Sequence, residues 1–113
     1  MCYNLSCIEQ EVIAVLDVRK IANGRDLTFV LGGRLDTTTA PEFEAELKAS
    51  IDGAERLILD IGKLDYISSA GLRVILSAHK AMSRLGGMII KNPTREVYEI
   101  LEVTGTLGIF TIE

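Results

Sequence analysis

Three apolar segments narrow the fold more than any other part of this chain: Leu57-Ile58-Leu59-Asp60-Ile61, the run Ser68-Ser69-Ala70-Gly71-Leu72-Arg73-Val74-Ile75-Leu76, and Met88-Ile89-Ile90. The first is short and strongly apolar, as expected of a strand covered on both faces. The segment from about 70 to 85 has helical spacing, and Met88-Ile89-Ile90 is another strand. Strand, helix and strand in that order imply parallel pairing through a right-handed crossover. Asn92-Pro93-Thr94 then leads into a helix carrying Val97, Ile100 and Leu101. Gly105 ends it, and Ile109-Phe110-Thr111-Ile112 makes a last short strand.

Upstream, Asn23-Gly24 separates Val18-Arg19-Lys20-Ile21 from the alternating Leu27-Thr28-Phe29-Val30-Leu31. Asn-Gly readily takes the positive φ angles of a tight hairpin turn, so two antiparallel strands are expected. Gly32-Gly33 ends the second strand. Thr39 and Glu42 have capping-box spacing, with Pro41 in the first turn of the helix they open. Phe43, Leu47 and Ile51 recur on one face of that helix, and Asp52-Gly53 stops it. The expected fold is α/β: a small single domain whose mixed β-sheet has an N-terminal hairpin and β-α-β units packed by helices. A chain of 113 residues fits one such domain. Residues 17–113 form it, while residues 1–16 are compatible with an extra strand, a short helix or a tail.

Composition removes several functions. The net charge of −4 comes from interspersed acidic and basic residues, without the clustered basic face expected of a nucleic-acid binder. Cys2 and Cys7 leave the rest of the chain without cysteine, which argues against a disulfide framework and for a reducing compartment. With one histidine, His79, neither a metal site nor a cofactor is expected. Val12 to Leu16 is too short for a signal peptide core, and nothing approaches a membrane-spanning length. The expected location is the cytoplasm. Asn4-Leu5-Ser6 matches a glycosylation sequon that is too short to carry weight.

Projected at about 100° per residue, Arg73, Ser77, Lys80 and Arg84 share the solvent side of the helix after the two serines. Gly71, Ile75, Ala78, Met82 and Leu85 share the core side. Leu72, Leu76 and His79 fall at the edge, which makes His79 a flanking surface residue. One serine suffices as a cap. A nucleophilic serine would need an adjacent base, and the Gly-x-Ser-x-Gly elbow is absent. A third use is to carry a phosphate, which the unpaired amides and dipole of a helix N-terminus favour. Ala70 and Gly71 would keep the approach uncrowded, and Leu72 and Leu76 would offer a partner an apolar ledge.

Gly33-Arg34-Leu35-Asp36, Leu59-Asp60-Ile61 and Tyr66 to Leu76, followed in order by Asn92-Pro93, Val97 to Leu101 and Val103-Thr104-Gly105, resemble the STAS domain of bacterial anti-sigma factor antagonists. The resemblance covers roughly residues 18 to 112. It implies a non-enzymatic protein that binds an anti-sigma factor with serine kinase activity and thereby frees a sigma factor. The kinase phosphorylates a serine at the helix start, and a serine phosphatase restores the protein. The family's frequent form is Asp-Ser-Ser/Thr-Gly-Leu, so alignment on Gly71-Leu72 puts the phosphate on Ser69. Ser68 then takes the place of the aspartate, and alignment on the serine pair would choose Ser68 instead. Asp36 matches the family's strand-end aspartate, and an ordinary turn residue is its alternative role. The partner-binding set implied is Asp36, Ser68, Ala70, Gly71, Leu72 and Leu76.

A C-terminal helix often follows the last strand in the family. Here Glu113 follows it, so residues 1–16 or a second copy of the chain would cover the remaining apolar sheet surface. The alternative function is a STAS-like module of a lipid-transport or sensing complex with no serine switch. An enzyme is not expected, since Gly32-Gly33-Arg34 lacks the Gly-Lys-Ser/Thr of a nucleotide-cradling loop.

Overall fold

A computed structural model describes residues 8–13 and 16–113. The elements in chain order are β1 (Ile8–Ile13), β2 (Leu16–Asn23), β3 (Asp26–Leu35), α1 (Ala40–Ile51), β4 (Arg56–Ile67), α2 (Ser69–Met82), β5 (Met88–Lys91), α3 (Arg95–Val103) and β6 (Thr111–Ile112). The strands form a six-stranded sheet in sequential order. Strands β1, β2 and β3 pair antiparallel, while β3 to β6 pair parallel. Each parallel step is bridged by one helix, as a β-α-β chain requires. Within the leading segment, residues 8–13 are the extra strand. Cys2, Cys7 and the Asn4 triplet lie outside the described residues.

The β2–β3 hairpin closes between Asn23 and Asp26, so its loop is Gly24-Arg25, one residue later than an Asn23-Gly24 centre. Of the two loop residues, Gly24 takes the left-handed region, at φ 65°, and Arg25 does not. The second strand also outlasts Gly32-Gly33 and runs to Leu35. It does so through register shifts against β4, between Val30 and Gly32 and again between Gly33 and Arg34. Gly33, at φ 91°, supplies the left-handed backbone for this irregularity.

Alternation along β3 and β4 sends Leu27, Phe29, Leu31, Leu57, Leu59 and Ile61 into the core. Phe29 meets Phe43 of α1 edge to face, with centroids 5.7 Å apart. Ile75 and Met82 of α2 belong to the same cluster. The other face differs from expectation. Thr28, Ile58 and Ile89 form one register row across three strands and are only half-buried. Strand β4 therefore has one sealed face rather than two.

Helix α2 ends at Met82, with Ser83 as its C-cap, so Leu85 lies in the following turn and is 53% exposed rather than packed on the core. The expected capping box is not formed either. Thr39 precedes α1 without capping it, because its hydroxyl is engaged elsewhere, and only Pro41 sits in the first turn as anticipated. Regular pairing in the last strand is limited to Thr111 and Ile112.

Candidate functional site

The serines sit where the parallel strands end. Register pairs Arg34 with Tyr66 and Leu35 with Ile67. The next amide, Ser68 N–H, donates to the Leu35 carbonyl at 2.9 Å, which ties the start of α2 to the end of β3. Ser68 is extended, at φ −91° and ψ 174°, as an N-cap residue should be. Its Oγ accepts from the Gly71 amide at 3.2 Å. Ser69 is the first helical residue and is exposed. Among the described residues its hydroxyl has no hydrogen-bond partner, and the amides of Ser69 and Ala70 have no acceptor.

One serine therefore caps the helix and the other faces solvent. The first turn of α2 has no acidic residue to offset the positive end of the helix dipole. No histidine or carboxylate among the described residues hydrogen-bonds Ser69. The arrangement suits a hydroxyl that receives a negatively charged group.

Gly71 is buried rather than open. A Cβ there would lie 2.8 Å from both the carbonyl oxygen and Cγ of Leu35, and 3.0 Å from Cγ1 of Ile67. Its small size lets α2 settle onto the ends of β3 and β4, which is a packing role and not an access role. Leu72 also departs from expectation: at 5% exposure it belongs to the core and offers no ledge. The projection underestimated the width of the buried stripe because α2 is covered on both flanks. On one flank, Val74 and Ala78 share an apolar crevice with Leu47 and Ile51 of α1. On the other, Phe110 packs edge-on against His79, with centroids 5.7 Å apart. His79 is consequently half-buried, and its Nδ1 is buried without a hydrogen-bond partner. Ala70 and Leu76 remain half-buried, beside the exposed Ser69 and Arg73.

Asp36 organises the neighbouring turn. Its Oδ1 accepts from the Thr38 hydroxyl at 2.6 Å and from the amides of Thr38 and Thr39 at 3.0 and 3.2 Å. These donors hold its carboxyl below the ordinary value, the Thr38 hydroxyl most strongly, against partial desolvation. Thr39, fully buried, donates from Oγ1 to the Arg34 carbonyl at 3.0 Å and accepts from the Asp36 amide at 2.9 Å.

Two further residues join the site that the sequence did not single out. The Arg34 guanidinium lies 4.5 Å over the Tyr66 ring, and its Nε is 3.6 Å from Oδ2 of Asp36. The pairing of the ends of β3 and β4 would have brought them together, but it depends on a register that local pattern does not display. Among the described residues, no helix is long and apolar enough to cross a membrane, and no cluster of histidine, cysteine and carboxylate side chains could hold a metal ion.

The profile of the STAS domain matches residues 5–113. BtrV of Bordetella bronchiseptica, provisionally named an anti-sigma factor antagonist, is 42% identical over 84 residues, covering 73% of this chain and 72% of BtrV. The crystal structure of an anti-sigma factor antagonist from Mycobacterium paratuberculosis superposes with a TM-score of 0.78 at 17% identity, over 86% of this chain and 84% of the other. SpoIIAA in its unphosphorylated form superposes with a TM-score of 0.69 at 16% identity, over 94% and 87%. Its phosphorylated form, from Bacillus, gives 0.62 at 16% identity, over 94% and 90%. The structural likenesses establish the fold, the profile and the sequence relative establish the lineage, and the chain belongs to the STAS domain family of anti-sigma factor antagonists.

Proposed function

We propose that this chain binds an anti-sigma factor with serine kinase activity through the surface around the start of α2, and that phosphorylation of Ser69 ends the binding. The protein acts as a switched partner and catalyses nothing itself. A serine phosphatase would reset it. The observation that carries this assignment is the division of labour between the two serines. Ser68 uses its hydroxyl to cap the helix, whereas Ser69 keeps its own in solvent at the positive end of α2. Ala70 and Leu76 supply the partly exposed apolar contact, and Asp36 lies at the adjoining strand end.

A phosphate adds about −1.5 to −2 charges at neutral pH. Outside a complex, the helix N-terminus and water accommodate it. Inside an interface it loses that water, and an unmatched buried charge is costly. A penalty of about 3 kcal/mol weakens binding on the order of a hundredfold.

The test uses an anti-sigma factor kinase and ATP, with peptide mass spectrometry to locate the phosphate and calorimetry to measure affinity. One phosphate is expected, on Ser69. Ser69→Ala should bind persistently and Ser69→Asp on the order of a hundredfold more weakly. Phosphate found only on Ser68 or in Thr37-Thr38-Thr39, or equal affinities for the two variants, would overturn the assignment.

A further inference from the structure

We propose that Arg73 is the counter-charge of the switch: once Ser69 carries a phosphate, the Arg73 guanidinium turns back along the helix and pairs with it. This deepens the proposed function and rests on modification at Ser69. The two residues stand four apart on α2, at its first and fifth positions, and both are exposed. Side chains four apart on a helix are neighbours, with Cβ atoms about 5–6 Å apart, and an anion placed before the cation is the better order.

Arg73 is available for that pairing. Among the described residues it makes no ion pair and no side-chain hydrogen bond. Lys80 further along α2 is likewise without an ion pair among the described residues, but two cations on the other helices are engaged. Lys48 reaches Glu44 at 3.9 Å and Arg95 reaches Glu99 at 3.5 Å, each across one helical turn. Arg34, the other arginine of this end of the sheet, is held by Asp36 and Tyr66. Helix α2 contains no Asp or Glu between Ser69 and Met82, although the chain as a whole carries a net charge of −4. The positions beside Arg73 on its face are Ser69, Ala70, Leu76 and Ser77, so the missing anion can come from the helix only through a modified serine. A phosphate dianion presents several acceptor oxygens to the forked donors of a guanidinium.

Pairing changes what a partner meets. Unmodified, the surface beside Leu76 shows an uncompensated arginine. Modified, it loses that cation, and since one arginine offsets only part of the roughly −1.5 to −2 charges of the phosphate, a net negative charge remains unmatched. Other charged groups at this end include Arg34 in β3, Asp36 just after it, Asp17 in β2, and Lys63 and Asp65 in β4.

The experiment uses the full chain with phosphoserine genetically encoded at position 69, so that its outcome does not depend on any kinase. Phosphorus NMR follows the second ionisation of the phosphate with pH. In the native background it should lie about 0.3 pH unit below its position in Arg73→Gln. Arg73→Lys should recover most of the difference, and Arg34→Gln should leave it unchanged. The unmodified Arg73→Gln protein should melt with the native one, because Arg73 holds nothing in that state. Equal ionisation in the native and Arg73→Gln backgrounds would overturn the proposal. So would an equally large rise in Arg34→Gln, which would give the role to Arg34. A kinase that never modifies Ser69 would instead overturn the proposed function and leave this titration standing.

Discussion

At the end of β3 the chain turns into α1, and at the end of β4 it turns into α2. The two junctions are neighbours, and both are rich in hydroxyls. In the first, Thr39 is buried between the Arg34 carbonyl and the Asp36 amide, while Asp36 gathers three donors on one oxygen. In the second, Ser68 closes the helix, and the adjacent hydroxyl of Ser69 is left in solvent. A turn whose central hydroxyl is buried and bonded on both sides is scaffold, because changing it leaves buried partners unsatisfied. A turn with a spare hydroxyl can be modified without disturbing its own cap. The contrast predicts a ranking of substitutions in which the residues that look most alike in sequence behave least alike.

The largest effect is expected at Gly71, which holds the second junction against the first. Any Cβ would press on the Leu35 carbonyl, and that carbonyl also accepts the Ser68 amide, so relief by movement would loosen the cap. Gly71→Val should destabilise the domain by about 3 kcal/mol, the upper end for overpacking. Urea unfolding should show a lower midpoint at unchanged slope. Thr39→Val comes next. It keeps the shape but removes the acceptor for the Asp36 amide, and should cost about 2 kcal/mol by the same measurement. A neutral Thr39→Val would mean that the first junction is not the rigid one.

Ser68→Ala should cost about 1 kcal/mol, the usual value of a lost helix cap, and the Gly71 amide should become more open to hydrogen exchange. Much of this organisation was legible beforehand. The hairpin, the three helices and the parallel strands all announce themselves by local periodicity and turn residues. What escaped was everything decided by contacts distant in sequence. Strand β3 continues through Gly32-Gly33, and β4 through Lys63 and Asp65, because their pairing resumes after a bulge that interrupts the alternation. Leu72 is buried as a member of the core cluster, on a stripe wider than the helical projection indicates. Arg34 and Tyr66 meet only through strand register. The serine pair itself was visible, but two identical residues give no sign of which one caps. Backbone geometry separates them.

Asp36 ties the first junction to pH. Its carboxyl is held below the ordinary 3.8 in the folded chain, chiefly by the Thr38 hydroxyl. A carboxyl lowered on folding stabilises the native state above its unfolded value, and that contribution disappears as pH falls through the folded value. Asp36→Asn should therefore differ from the native chain at neutral pH, and the difference should close below about pH 4. The group is near the surface, so the gap should be smaller than that of Ser68→Ala. Melting curves of both proteins between acid and neutral pH would reveal it, and a gap that widens in acid would contradict the donor arrangement around Asp36.

The smallest effect is expected at Ser69, and its smallness is informative. An exposed helix-start serine with no side-chain partner has little to lose on becoming alanine, which is also the better helix former. Ser69→Ala should change stability by less than about 0.5 kcal/mol in either direction, the range of a surface substitution away from structural features. Ser68→Ala, one residue earlier and chemically the same change, should cost about twice that or more. Measured side by side by urea unfolding, the pair isolates position from residue type. If Ser69→Ala proved as damaging as Ser68→Ala, the second hydroxyl would be structural too, and the second junction would lose its claim to a hydroxyl held in reserve. If only Ser68→Ala matters, any loss of regulation in Ser69→Ala can be assigned to chemistry at that oxygen rather than to a weakened helix.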